Sequence, residues 1–113
     1  MIAHSLPNET FGPAQNMHGA TYVVDAIFYS ENLNDQNIVI DIGIALDLLK
    51  EVLHELNYSN LDENPVFKGV LTTTEFIAKY IHDQLKSKSE PHFSGDIEII
   101  LGESHIAWAS YRG

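Results

Sequence analysis

The sequence predicts an α+β fold in which a four-stranded antiparallel sheet carries two helices on one face. Three observations predict it: an alternating segment over residues 21–30, two apolar stripes at helical spacing in mid-chain, and two alternating segments near the end. Strands segregated from helices in this way are typical of α+β proteins with antiparallel sheets. The predicted order is ββααββ, and 113 residues fit a single domain over residues 1–113.

The first two predicted strands flank a loop. The first is short and ends at His4, and the Gly, Pro and Asn residues of 6–18 indicate the loop. In the second strand, residues 21–30, alternate side chains point to one face. One face of this strand is therefore expected to carry Tyr22, Val24, Ala26 and Phe28. Residues 38–42 form a further short extended run.

The two predicted helices differ in how clearly their starts are marked. Residues 44–56 carry Ile, Leu and Val at helical spacing, which predicts the first helix. The second helix is expected to begin where Thr72 and Glu75 have the spacing of a capping box. We expect His54 and His82 on the exposed surfaces of these helices.

The last two strands form a closing hairpin. Residues 97–101 and 105–111 alternate on either side of Gly102-Glu103-Ser104, which turns or bulges. One face of the sheet lies under the helices and the other still carries apolar residues, so we expect other subunits to cover it. Trp108 is expected at such an interface or in the core rather than as a stacking platform.

Composition and charge exclude several functions. The net charge is −10 with six Lys and Arg residues, and phosphate contacts dominate nucleic-acid affinity, so no nucleic-acid partner is expected. The same shortage argues against a polyphosphate ligand, unless a partner subunit lends charges. The absence of cysteine excludes disulfides, thiolate metal ligands and a cysteine nucleophile. No apolar run is long enough to cross a bilayer, so we expect a cytoplasmic protein with no membrane partner.

Two histidines, His4 and His18, lie on either side of the first loop. A third histidine two residues after His18 would lie on the same strand face and complete a three-histidine zinc site. That position is Ala20. Two imidazoles form a weak site unless another group completes it, so tight zinc binding is not expected.

Six segments together resemble the 6-pyruvoyltetrahydropterin synthase family, which includes the 6-carboxytetrahydropterin synthases. The resemblance covers nearly the whole chain, with the motifs in the family's order. The segments are Ile2-Ala3-His4, His18-Gly19-Ala20 for the family's His-Gly-His, Ile40-Asp41-Ile42-Gly43, Leu56 to Asp62, Thr73-Thr74-Glu75-Phe76-Ile77-Ala78, and Glu103 before the final strand.

The resemblance implies a tunnelling fold (T-fold), in which three subunits join their sheets into a barrel and two such rings stack as a hexamer. It also implies a pterin- or purine-like ring bound at a subunit interface. In that reading Glu103 accepts two N–H groups of the ring, and the backbone around Thr73 and Thr74 reads neighbouring atoms. For Glu103 the alternative is an ordinary turn carboxylate, and for the threonines it is a plain helix N-terminus.

The chain departs from the family at the positions that carry its chemistry. The third zinc ligand is Ala20, the catalytic cysteine falls near residues 14–16, and the Asp-His pair matches Asn57 and Tyr58. A phenol titrates near pH ~10, so Tyr58 is a poor base at neutral pH; it either serves as an acid or packs, and packing is the better prediction. His105 is a candidate third imidazole for a rebuilt metal site.

Three functions follow. The first is a divergent homologue that binds a ring through Glu103 without the standard synthase activity. The second is an active zinc-dependent synthase acting on dihydroneopterin triphosphate, with a metal site rebuilt from His4, His18 and His105. The third is a non-catalytic scaffold.

Overall fold

The computed structural model describes residues 1–113 as six strands, two α-helices and three short 3-10 helices. The helices are α1 (Ile42–His54) and α2 (Thr74–Ser89), and the 3-10 helices span Glu9–Gln15, Leu61–Glu63 and Pro65–Phe67. The strands are β1 (Ile2–His4), β2 (His18–Ala20), β3 (Val23–Phe28), β4 (Ser59–Asn60), β5 (Ile97–Ser104) and β6 (Ala107–Arg112). The long elements follow the predicted order ββααββ.

The strands form two three-stranded sheets, so the prediction of one four-stranded antiparallel sheet is wrong. One sheet has the order β2-β1-β4 and the other β3-β5-β6. The predicted strand over 21–30 is interrupted at Thr21 and Tyr22, where the chain leaves the first sheet and enters the second. The three-residue β1 pairs with β2 on one side and, in parallel, with β4 on the other. It therefore has no edge left for β3.

Helix α1 begins two residues earlier than predicted, because Asp41 caps it. The Asp41 Oδ1 accepts a hydrogen bond from the backbone N–H of Ile44 at 3.1 Å, which satisfies one of the free donors of the first turn. The chain before it is not a strand, so the extended run expected over 38–42 is not a sheet element.

Helix α2 is capped by Thr73, so the predicted capping box from Thr72 is wrong. The Thr73 Oγ1 accepts from the backbone N–H of Phe76 at 3.2 Å. Thr72 is buried and its hydroxyl instead lies beside the imidazole of His4. The surface placement of His82 is also wrong: it is 5% exposed, between the Asp83 carboxylate and the Gly113 carbonyl. His54 is exposed as predicted.

The core lies between the two helices and one face of the second sheet. Strand β5 contributes Ile97, Ile99 and Leu101, all fully buried, and Phe28 of β3 packs against the same cluster. Helix side chains complete it, chiefly Val52, Ile77, Ile81 and Leu85. The period-two alternation predicted for β3 and β5 is confirmed.

The opposite face of the second sheet is open. On it Val23 is 67% exposed and Trp108 64% exposed, and Ile27 is also accessible. Trp108 is therefore not a core residue. Strands β3 and β6 each have one unpaired edge beside this face. Neither helix is long and apolar enough to span a membrane.

Candidate functional site

His4 and His18 form a cross-strand pair. They stand directly opposite each other in the antiparallel ladder of β1 and β2, so their side chains share one face. Their rings are 4.6 Å apart between centroids, edge to face at 62°. His4 is 2% exposed and His18 half-buried. The structure therefore brings together the two histidines that the sequence singled out.

Each of these rings is held by its Nδ1 atom. The Nδ1 of His4 lies 2.9 Å from the Thr72 Oγ1, and that of His18 lies 2.8 Å from the Asn16 carbonyl oxygen. A carbonyl only accepts, so the neutral His18 ring carries its proton on Nδ1 and leaves Nε2 as an acceptor. Such outer hydrogen bonds also orient the imidazoles of metal sites.

The environment of His4 favours the neutral imidazole. Burial lowers the pKa of His4 below its ordinary value, and the neighbouring His18 lowers it further. Thr72 and the negative charges of Asp62 and Glu103 oppose this shift in the pKa of His4 without cancelling it. A neutral imidazole has a lone pair available to a metal ion or to a ligand N–H.

The donors around this pair fall one short of the family's three-histidine zinc site. Ala20 shares the face of His18 and stands opposite Ile2, so the third position holds a methyl group. No three His, Cys, Asp or Glu side chains are arranged to hold a metal ion. His105 lies in the exposed turn between β5 and β6. The residues present thus do not complete a zinc site of that kind.

Glu103 occupies a β-bulge. Gly102 pairs with Trp108 and Ser104 with Ala107, so Glu103 is the extra residue on β5 and has no partner on β6. Bulges re-aim side chains and are frequent beside active sites. Here the Glu103 carboxylate reaches the first turn of α2, where its Oε2 accepts a hydrogen bond from the Thr74 hydroxyl at 3.3 Å. No hydrogen bond engages its Oε1, and the residue is exposed.

The two predicted threonines have different places. Thr74 lines a shallow pocket with Glu75, Glu103 and the start of β6, whereas the hydroxyl of Thr73 serves as the helix cap. Tyr22 was not predicted here. Its hydroxyl contacts Thr74 and its pKa is influenced by the charge of Glu103, although its ring packs against the core. The alternating pattern of residues 21–30 indicates on which face of the strand Tyr22 lies. It does not indicate which side chains Tyr22 contacts.

Tyr22 supplies a test of this arrangement. Burial raises the pKa of the Tyr22 phenol, the contact with Thr74 opposes this, and the charge of Glu103 adds to it. Because its pKa is raised on folding, Tyr22 contributes stability that is present below pH ~10 and lost as the pH rises through the higher folded pKa. We expect the urea midpoint of the wild type to fall more steeply above pH ~10 than that of Tyr22→Phe. Parallel curves for the two chains would contradict this placement.

Tyr58 does not pack, so that prediction is wrong. It is 85% exposed and has a left-handed backbone, with φ of 57°. Asn57 beside it accepts a hydrogen bond from the Met1 amino group at 2.8 Å. Neither residue lines the Glu103 pocket. Ala14, near the position of the family's cysteine, lies in the 3-10 helix Glu9–Gln15.

Two further residues, which were not predicted there, hold His4 and the residue that follows it. Thr72 holds His4, and the Asp62 carboxylate accepts from the backbone N–H and the hydroxyl of Ser5, the residue after His4. Both contacts join residues more than fifty positions apart, so no local pattern indicates them.

Comparison with known proteins gives one family. The family model described as 6-pyruvoyl tetrahydropterin synthase matches residues 1–113. A 6-pyruvoyl tetrahydrobiopterin synthase of Dictyostelium discoideum is 31% identical over 105 residues, which are 91% of this chain and 76% of that protein. A 6-carboxy-5,6,7,8-tetrahydropterin synthase of Bacillus subtilis (strain 168) is 28% identical over 120 residues, covering 97% of this chain and 77% of that one.

A solved structure gives the same family at the level of the fold. The 6-pyruvoyl tetrahydropterin synthase of Caenorhabditis elegans superimposes with a TM-score of 0.85 at 25% sequence identity. The superposition covers 99% of this chain and 88% of that one.

Proposed function

Because the chain belongs to the 6-pyruvoyl tetrahydropterin synthase family, we propose that it binds a pterin- or purine-like ring through Glu103 and does not run the standard synthase reaction. One observation carries the ring-binding proposal. The bulge on β5 aims a carboxylate at the N-terminus of α2, where Thr74 engages one oxygen and the other is left to accept. A ring edge with adjacent N–H and amino groups matches such a carboxylate.

Three departures from the family's pattern support the absence of the standard reaction. Ala20 stands in place of the third zinc ligand, Ala14 to Asn16 hold no cysteine, and Asn57 and Tyr58 replace the Asp-His pair. An amide does not act as a carboxylate, and the Tyr58 phenol is in solvent rather than beside Glu103. Incubation with dihydroneopterin triphosphate tests this: turnover by the purified chain would refute it.

The test of ring binding is Glu103→Gln. The glutamine keeps the shape of the side chain but replaces one acceptor by an NH₂ donor, which faces the donors of the ring. Losing one charge-assisted hydrogen bond costs about 1.5–3 kcal/mol, so we expect affinity for pterin to fall roughly 10- to 150-fold by calorimetry. Glu75→Gln is the matched control, because Glu75 lines the same pocket. Equal affinity of Glu103→Gln and wild type would remove the anchor role.

The second candidate function is a zinc-dependent synthase with a rebuilt metal site. The observation that favours it is the His4–His18 pair, whose Nδ1 atoms are both held and whose other nitrogens take no hydrogen bond within the chain. Zinc bound at one ion per subunit together with turnover would favour this candidate over ring binding alone. A third function, a scaffold, would follow if Glu103 served only to complement the dipole of α2.

We also propose that the chain assembles as a homo-oligomer, with a hexamer as the specific expectation. The open face of the second sheet carries the exposed apolar residues Val23 and Ile27, and monomeric proteins seldom leave large contiguous apolar patches bare. The free edges of β3 and β6 offer unpaired backbone groups to neighbouring copies. A cytoplasmic location stays a prediction.

A further inference from the structure

The Glu103 pocket has an aromatic wall. Trp108 lines it together with Thr74, Glu75, Glu103, Ile106 and Ala107. The indole is 64% exposed, so the core does not hold it. It is also the only tryptophan of the chain.

Strand pairing fixes the position of this wall relative to the carboxylate. Trp108 of β6 stands opposite Gly102, the last residue of β5 to pair before the bulge, and Glu103 follows directly. A planar heterocycle held by a carboxylate makes its hydrogen bonds in the plane of the ring, which leaves the two faces of the ring to other groups. Indoles bind such faces by stacking, and tryptophan stacks on bases without regard to their hydrogen-bonding pattern.

The charges around the pocket restrict the ligand further. Two of its six lining residues are glutamates and none is Lys or Arg. Four of the six fixed cations are engaged elsewhere: Lys79 with Asp83, Lys88 with Glu51, Arg112 with Asp96, and Lys86 with the Gly95 and Gly113 carbonyls. A phosphate brought to this pocket meets two carboxylates of like charge, and none of the side chains that line the pocket is a cation.

We propose that Trp108 is the stacking wall of the Glu103 site and that the ligand is a planar nitrogen heterocycle with an aminopyrimidine edge and no phosphate group. This inference rests on the proposed ring-binding function and adds to it a specificity residue and a substrate class. It predicts that the site prefers the unphosphorylated ring compound to phosphorylated forms of the same compound.

Calorimetric titration with three probes tests the inference: pterin, guanosine and guanosine 5′-monophosphate. Trp108→Ala is expected to weaken the binding of pterin and guanosine roughly 10- to 100-fold, as removal of a stacking aromatic does. Trp108→Phe is expected to retain affinity within a few fold, because a phenyl ring keeps a stacking face. Guanosine is expected to bind the wild type several-fold tighter than its monophosphate.

Glu103→Gln separates this inference from the function on which it rests. If Glu103→Gln loses pterin binding and Trp108→Ala retains it, the stacking role fails and ring binding stands. If neither wild type nor variants bind any probe, both fail. A monophosphate that binds as tightly as guanosine overturns the substrate class. A change of oligomeric mass in Trp108→Ala without a change in affinity per subunit would place the indole in a subunit contact and overturn its stacking role.

Discussion

The variant Ala20→His is expected to bind one zinc ion per subunit tightly, whereas the wild type is expected not to. Position 20 lies on the face of His18 and next to the His4–His18 pair in the ladder, so an imidazole there converges on the other two. The two existing rings already have their Nδ1 atoms held by Thr72 and Asn16. Three imidazoles are sufficient for a catalytic-type zinc site with one open position.

The effect appears as metal-dependent stability. Ala20 is half-buried, and enlarging a packed position costs about 1–3 kcal/mol, so the variant is expected to be less stable than the wild type in EDTA. Zinc at a hundred times its dissociation constant contributes about 2.7 kcal/mol, because the metal binds only the folded chain. Thermal unfolding in EDTA measures the loss of stability, and thermal unfolding with zinc measures the gain from the metal. Mass spectrometry measures how much zinc each subunit binds.

Two controls make this result specific. Gly19→His adds an imidazole to the same strand on the opposite face, and a Cβ there makes only ordinary contacts with Met1 and Ile2. We expect no tight zinc binding by that variant. Adding His18→Ala to Ala20→His should abolish the gain. Tight zinc binding by the wild type, or equal binding by Gly19→His, would show that the absence of a third histidine at position 20 is not what prevents zinc binding.

The double variant Val23→Lys/Ile27→Lys is expected to dissociate the proposed hexamer into folded subunits. Both residues point away from the core on the open face of the second sheet, so lysines there remain in solvent in the isolated subunit. In an assembly closed over this face the same lysines would be buried, with the single carboxylate of Asp25 between them on that face, and an unpaired buried ammonium group is strongly unfavourable. Light scattering after gel filtration should show six times the subunit mass of 12.7 kDa for the wild type and a single subunit for the variant.

The matched control places two lysines on the helix layer. Ile42 and Leu46 of α1 are also exposed apolar residues, at 78% and 52%. Replacing them by lysine changes the charge by the same amount without touching the sheet. We expect this control to keep the wild-type mass. A wild type that runs as a monomer would refute the assembly, and an intact oligomer in the Val23/Ile27 variant would move the contact away from this face.

Much of the fold was predictable because local patterns determine it. The leucine stripe of α1 and the alternation of β3 and β5 each bury one face, and both were found where expected. The division into two sheets was not predictable, since residues on both sides of Thr21 alternate in the same way. The start of α2 was misplaced by one residue because three successive threonines offer equivalent caps. A distant partner, His4, takes the hydroxyl of Thr72 and leaves the cap to Thr73.

The residues of the candidate site could be named in advance only where the family resemblance supplied positions. It indicated Glu103, His4 and His18, which come from opposite ends of the chain, and the charge of Glu103 reaches His4. It gave no indication that the hydroxyl of Tyr22 lies beside Thr74, or that Trp108 stands open next to the carboxylate. Those placements depend on strand register, which a single sequence does not state.

The bulge on β5 makes the site a matter of chain length as well as of residue identity. Without Glu103, Ser104 would follow Gly102 directly and the ladder from Trp108 to Ala107 would continue without interruption. Ile97, Ile99 and Leu101 would keep their places in the core, since all three precede the bulge. A one-codon deletion at this point is therefore expected to remove the carboxylate and preserve the scaffold, so the ring binding proposed for Glu103 can be lost through a change of chain length as well as through a substitution.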